Sequence, residues 1–166
     1  MKTLFILTLF TFFLVGCSGR KVKEFKSEGP MNFTIKTQLD SSWTLMTGFF
    51  NSKKLLLHFW QDLPGCRYRD LGVLWIGEEQ IQKIALPKKS QITFFTNVIR
   101  TGFMASSRDE RTGPDFRLEV DSSSDYELEV LEDDGSSTMN VFQVKGGKRI
   151  ELENINSSCQ KWEEVH

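Results

Sequence analysis

From residue 31 onward, apolar and polar residues alternate in short runs. Phe33 and Ile35 stand between polar neighbours, and Trp43-Thr44-Leu45-Met46-Thr47 follows the turn-forming Asp40-Ser41-Ser42. Lys54 to Gln61 is a dense apolar run broken at Pro64-Gly65, and Leu71 to Ile76 is another, ended by Gly77. Ile81 to Leu86 alternates and stops at Pro87, while Gln91 to Ile99 is rich in β-branched and aromatic residues. Runs of this length, punctuated by Gly, Pro, Asp and Ser, predict strands. No long stretch repeats every 3.6 residues, and one helical turn is expected at most, over Glu78 to Lys83.

The C-terminal third is more regular. Phe116, Leu118 and Val120 alternate with Arg117 and Glu119; Tyr126, Leu128 and Val130 alternate with Glu127 and Glu129. Each run turns an apolar face to a core and a charged face to water. Asp121 to Asp125 and Asp133-Asp134-Gly135-Ser136 are turns, the second leading to Met139 to Val144. Gly146-Gly147 is a hairpin signal before Arg149 to Leu152. Four strands at this spacing predict a meander or half of a sandwich.

Phe116 to Val130 resembles the late strands of immunoglobulin-like or transthyretin-like sandwiches. The resemblance implies that Tyr126 is a corner tyrosine, its hydroxyl bonded to nearby backbone. The paired Cys and core Trp of antibody domains are not in their usual places. The fold expected is all-β, a single antiparallel β-sandwich over residues 31–166.

The first residues have another layout. Lys2 precedes an apolar run from Leu4 to Val15, then small Gly16 and Cys17. This is the layout of a secretory signal peptide, and the run is short for a bilayer span. Leu14-Val15-Gly16-Cys17 resembles the lipobox of bacterial lipoproteins. The resemblance implies cleavage after residue 16, a diacylglycerol on the Cys17 thiol and usually an acyl chain on the new amino group. Chains of this kind, at about 0.8 kcal/mol per buried CH₂, anchor a protein without spanning. Ser18, where Asp commonly signals inner-membrane retention in that family, implies the outer membrane, facing the periplasm, for a Gram-negative source. Residues 17–30, with Arg20, Lys21, Lys23 and Lys26 against Glu24 and Glu28, are expected to be a flexible tether.

Charge is uneven. Residues 17–108 hold 14 Lys and Arg against 7 Asp and Glu, and residues 109–166 hold 6 against 15. Such asymmetry marks either an interaction surface or opposite charges mixing on one folded surface. Beyond Cys17 the cysteines are Cys66 and Cys159. In an oxidising compartment this pair is expected to form a disulfide. Without a partner His or a C-x-x-C spacing they make a poor metal or redox site.

Catalytic motifs are scarce. His58 lies inside an apolar run, with no nucleophile elbow, and reads as a structural, hydrogen-bonded His; His166 is the last residue. Glu78-Glu79, Asp109-Glu110 and Asp133-Asp134 lack the spacing of a Ca²⁺ loop, and no Gly-rich loop is placed to cradle phosphate. Asn32-Phe33-Thr34 and Asn156-Ser157-Ser158 fit the glycosylation sequon, which means little in a bacterial lipoprotein. Trp43, Trp60, Trp75 and the aromatic run near Phe94 belong either to the core or to a pocket. The most loop-like internal stretch is Ile99 to Pro114, so Arg108, Asp109, Glu110 and Arg111 are the expected contact loop.

No metal, cofactor or nucleic acid is expected. The sequence is read as a non-enzymatic binding or assembly module of the cell envelope, such as an accessory of a secretion or surface machine. It would be held in the membrane through Cys17 and would engage a protein partner. The alternative is a carrier of a lipid or other apolar ligand in a β-domain cavity.

Overall fold

The computed structural model describes residues 22–39, 52–101, 108–111, 115–133, 136–155, 159 and 161–165. Among them are eleven strands and no helix. They are β1 (Phe33–Gln38), β2 (Ser52–Leu63), β3 (Arg67–Ile76), β4 (Ile81–Ile84), β5 (Ser90–Thr101), β6 (Arg108–Arg111), β7 (Phe116–Val120), β8 (Asp125–Asp133), β9 (Ser136–Lys145), β10 (Lys148–Glu151) and β11 (Glu163–Glu164). The signal region with Cys17, Trp43–Thr47, Asn156–Ser158 and His166 lie outside the described residues.

One sheet runs β10-β9-β8-β1-β4; the other runs β11-β3-β2-β5-β6, with β7 also pairing β5. The fold is an all-β sandwich. Alternation drives it: Leu55, Leu57 and Phe59 of β2 and Leu128 and Val130 of β8 are all 0% exposed and meet between the sheets. Aromatic edges fill the centre, with Phe33 and Phe94 ring centroids 5.8 Å apart and Phe25 and Phe59 4.9 Å apart. Tyr126, 2% exposed, forms the expected corner. Its hydroxyl donates to the Glu119 carbonyl at 3.0 Å and accepts from the Asp121 N–H at 2.7 Å.

Several expectations are corrected. The sandwich is not wholly antiparallel: β1 lies parallel to β8 and β11 parallel to β3. The β7-to-β10 run is not one meander, because β7 belongs to the opposite sheet and only β8, β9 and β10 are consecutive neighbours. The Tyr126 corner is where the chain changes sheets. Glu78 to Lys83 makes no helical turn. Thr37 N–H donates to the Gln80 carbonyl at 3.0 Å, and Gln80 N–H donates to Thr37 Oγ1 at 3.0 Å. Those backbone groups are thereby committed to β1, and Ile81 onward continues as β4.

The expected tether is partly docked. Phe25 N–H donates to the Val73 carbonyl at 2.9 Å, and Val73 N–H donates to the Lys23 carbonyl at 2.8 Å. Phe25 is 8% exposed and joins the core. Gly72, at φ +110°, makes this approach possible, since a Cβ there would stand 2.8 Å from the backbone of Lys23, Glu24 and Phe25. Asn32, in the first sequon, is also structural: its amide donates to the Leu86 carbonyl at 3.1 Å and accepts from Leu86 N–H at 2.7 Å.

The two oppositely charged halves mix on folding. Lys36 meets Glu127 at 2.8 Å, and Lys53 meets Glu132 at 3.2 Å, the second pair buried at 4% and 0% exposure.

Candidate functional site

The outer face of the β3-β2-β5-β7 sheet is not an ordinary solvated face. The residues of β2 that alternate with its core positions are Leu56, His58, Trp60 and Asp62, and they point away from the opposite sheet. Cross-strand pairing sets Phe95 opposite His58, Thr93 opposite Trp60, and Arg117 opposite Thr93. Tyr68 of β3 lies opposite Asp62. Of these, His58, Trp60, Tyr68, Thr93, Phe95 and Arg117 line a cup of about 450 Å³, within the ~300–1,000 Å³ common for small-molecule sites.

The rings on this floor are tilted against one another. His58 meets Trp60 and Phe95 edge-on, with centroids 5.4 and 5.3 Å away. Trp60 lies 5.6 Å from Phe95 and 6.3 Å from Tyr68. His58 Nε2 is 2.9 Å from Asp70 Oδ1, which also accepts from Gly72 N–H at 2.8 Å. A bulge makes this possible: Phe59 pairs with Gly72 and Trp60 with Asp70, so Leu71 is the extra residue. Burial pushes the Tyr68 phenol above its ordinary pKa, and the charges of Glu164 and Asp70 add to this, so the hydroxyl keeps its proton.

Beneath the rim lies an ion pair. Arg117 Nε is 2.6 Å from Asp62 Oδ2, with side-chain exposures of 11% and 3%. Thr93 Oγ1 lies 3.0 Å from both Asp62 carboxylate oxygens. Burial raises the Asp62 pKa, and the Thr93 hydroxyl and the Arg117 guanidinium pull it back down.

The C-terminal segment supplies the wall. Asn154 Oδ1 accepts from Arg117 N–H at 2.9 Å, and its amide donates to the Asp115 carbonyl at 2.7 Å. Trp162 covers the Arg117 guanidinium, whose carbon is 5.0 Å from the ring centroid. Beyond it, Glu163 N–H donates to the Cys66 carbonyl at 3.0 Å and Val165 N–H to the Tyr68 carbonyl at 2.8 Å, forming β11. The expected disulfide closes the arrangement: Cys66 and Cys159 are bonded, with Cα atoms 5.6 Å apart and a separation of 93 in sequence.

The sequence candidates separate here. His58 is hydrogen-bonded as expected, yet it lines the cup at 30% side-chain exposure. Trp60 lines the cup, Phe94 is core, Trp75 is 48% exposed, and Trp43 lies outside the described residues. Arg108, Asp109, Glu110 and Arg111 form β6, paired with β5 over Asn97 to Arg100. That stretch is therefore strand where a loop was expected; residues 102–107 and 112–114 lie outside the described residues. Arg117, Asn154 and Trp162 were missed. Arg117 carried only the alternation of its strand, and the other two sit in a segment without strand periodicity. Among the described residues, no group of three or more His, Cys, Asp or Glu side chains is placed to hold a metal ion.

No family model, no curated protein and no solved structure matches this chain.

Proposed function

We propose that this chain is a lipid-anchored, extracytoplasmic binding module of a bacterial envelope, non-enzymatic, with the aromatic cup as its binding surface. The cup is the observation that carries the reading. It combines four aromatic side chains, a neutralised ion pair and a covalently pinned wall on one face of the sandwich. Two of the residues lining it carry hydroxyls: Thr93, committed to Asp62, and Tyr68, which keeps its proton. That composition supports recognition rather than nucleophilic chemistry.

The anchor part of the proposal rests on Leu14-Val15-Gly16-Cys17. With the chain docked from Lys23 onward, six residue steps separate the lipidated Cys17 from the domain, at most about 20 Å. Lys23 Nζ donates to the Asp70 carbonyl, so the chain joins the domain beside the cup. The cup would therefore work close to the membrane surface, on the outer membrane and facing the periplasm in a Gram-negative source.

Two experiments test this. Cys17→Ala should abolish labelling by a palmitate analogue; continued label would overturn the lipobox reading. Crosslinking in intact envelopes should recover an envelope component with the wild-type chain and lose it with Trp60→Ala and Trp162→Ala. Recovery unaffected by those changes would move the binding surface elsewhere, and no recovery would overturn the module reading. The alternative, a carrier of an apolar ligand, has the aromatic cup in its favour and the polar groups around it against it. Native mass spectrometry showing a co-purified lipid would favour the carrier.

A further inference from the structure

We infer that the cup takes a neutral sugar ring, so that the ligand of the binding module is a glycan; the inference rests on the cup reading above and names its ligand class. Three features of the cup select among ligand chemistries. Trp60, Phe95 and Tyr68 are tilted together into a concave apolar floor, with Trp162 opposite. The C–H face of a pyranose packs on such rings as other apolar surface does.

The charge balance argues against ionic ligands. Arg117 is closed onto Asp62 at 2.6 Å and capped by Trp162, so its charge is already answered and an anion gains little from it. A cation finds the same closed pair neutral, and one face of Trp162, where it would stack, is already taken by the guanidinium.

The polar groups suit hydroxyls. Asn154 has used one N–H and one lone pair on Asp115 and Arg117 backbone, and an amide keeps a second of each. His58 has committed Nε2 to Asp70, and Nδ1 is the ring's second polar atom. Groups that donate and accept in alternation match sugar hydroxyls, which do both. An acyl chain would remove the same groups from water with nothing to bond. At about 450 Å³ and open to solvent, the cup has room for a ring whose chain continues outward.

The test uses the full chain, purified in a detergent without a sugar headgroup. It is titrated with chito-, malto- and manno-oligosaccharides, and with vesicles carrying a glucosyl diacylglycerol, followed by tryptophan fluorescence and indole N–H resonances. At least one sugar should shift the Trp60 and Trp162 signals and leave Trp75, outside the cup, unmoved. Trp162→Ala should weaken that binding tenfold or more. Asn154→Ala should also weaken it, and unchanged Trp162 emission in the ligand-free variant shows that the wall is still in place, which separates a lost ligand contact from a lost wall. Free oligosaccharide binding assigns a glycan chain; binding only to the vesicles assigns a glycolipid headgroup; either supports the inference. Laurate, choline or an unrelated peptide shifting the cup while no sugar does would overturn the sugar and keep the cup. Silence from every probe would overturn both.

Discussion

Arg117 on β7 and Asp62 on β2 form an ion pair at 2.6 Å although β5 lies between their strands. They reach each other across Thr93, whose Oγ1 lies 3.0 Å from the Asp62 carboxylate and 3.5 Å from Arg117 Nε. The pair ties three strands together on the face that holds the cup. Breaking it from one side leaves a buried charge without its partner, which costs about 3 kcal/mol. Arg117→Ala and Asp62→Ala should each destabilise the domain by an amount of that order, and the double variant by clearly less than their sum. Urea denaturation of the four proteins measures this, and additive losses would show that the pair is not coupled.

Gly72 is a second point of leverage. Gly72→Ala places a Cβ 2.8 Å from the Lys23–Phe25 backbone at a φ of +110°. The docked segment must move away or the strand must distort, at a cost of about 1–3 kcal/mol. Limited proteolysis should then cut within residues 22–26, where the wild type resists. Unchanged resistance would mean that the segment docks without this close approach.

The disulfide is expected to stabilise both the domain and the cup. Bridging a separation of 93 residues contributes up to about 4.6 kcal/mol in the chain-entropy account. If the C-terminal segment can detach alone, the global loss is smaller and appears first at the wall. Cys159→Ser should therefore lower the melting temperature and expose Trp162, seen as a red shift in its emission. A variant with unchanged stability and emission would show that β11 and the Trp162–Arg117 contact hold the wall unaided.

Acid should act late at the β7–β8 corner. The Ser123 hydroxyl and N–H, with the Ser124 hydroxyl, hold the Asp121 carboxylate, and its pKa falls from 3.8 to about 2. A carboxyl whose folded pKa is depressed stabilises the fold above its unfolded value. That contribution is lost as pH falls from near 3.8 through about 2. Carboxyl NMR titration should find the depressed value, and Ser123→Ala should move it back toward 3.8. An ordinary value in the wild type would remove the corner from acid unfolding.

Much of this protein was set by local pattern. Alternation at Phe33 and Ile35, at Phe116 to Val120 and at Tyr126 to Val130 determined strands and their buried faces, because a side-chain period of two leaves one assignment that buries the apolar set. Gly146-Gly147, at φ +56° and +76°, determined its hairpin, since glycine adopts that backbone at no steric cost. Tyr126 was legible because its corner is made of residues within seven positions of it. Tertiary structure decided what depended on distant partners. Glu78 to Lys83 gave up the expected helical turn because Thr37 binds the Gln80 backbone and Ile81 onward pairs with β1, and Phe25 left the expected tether for the core through Gly72 and Val73. β7 joined β5 rather than β8 because pairing is chosen by the whole sheet. The cup was least legible of all: His58, Tyr68, Phe95, Arg117 and Trp162 come from five separate segments, and only strand order and the Cys66–Cys159 bond bring them to one face.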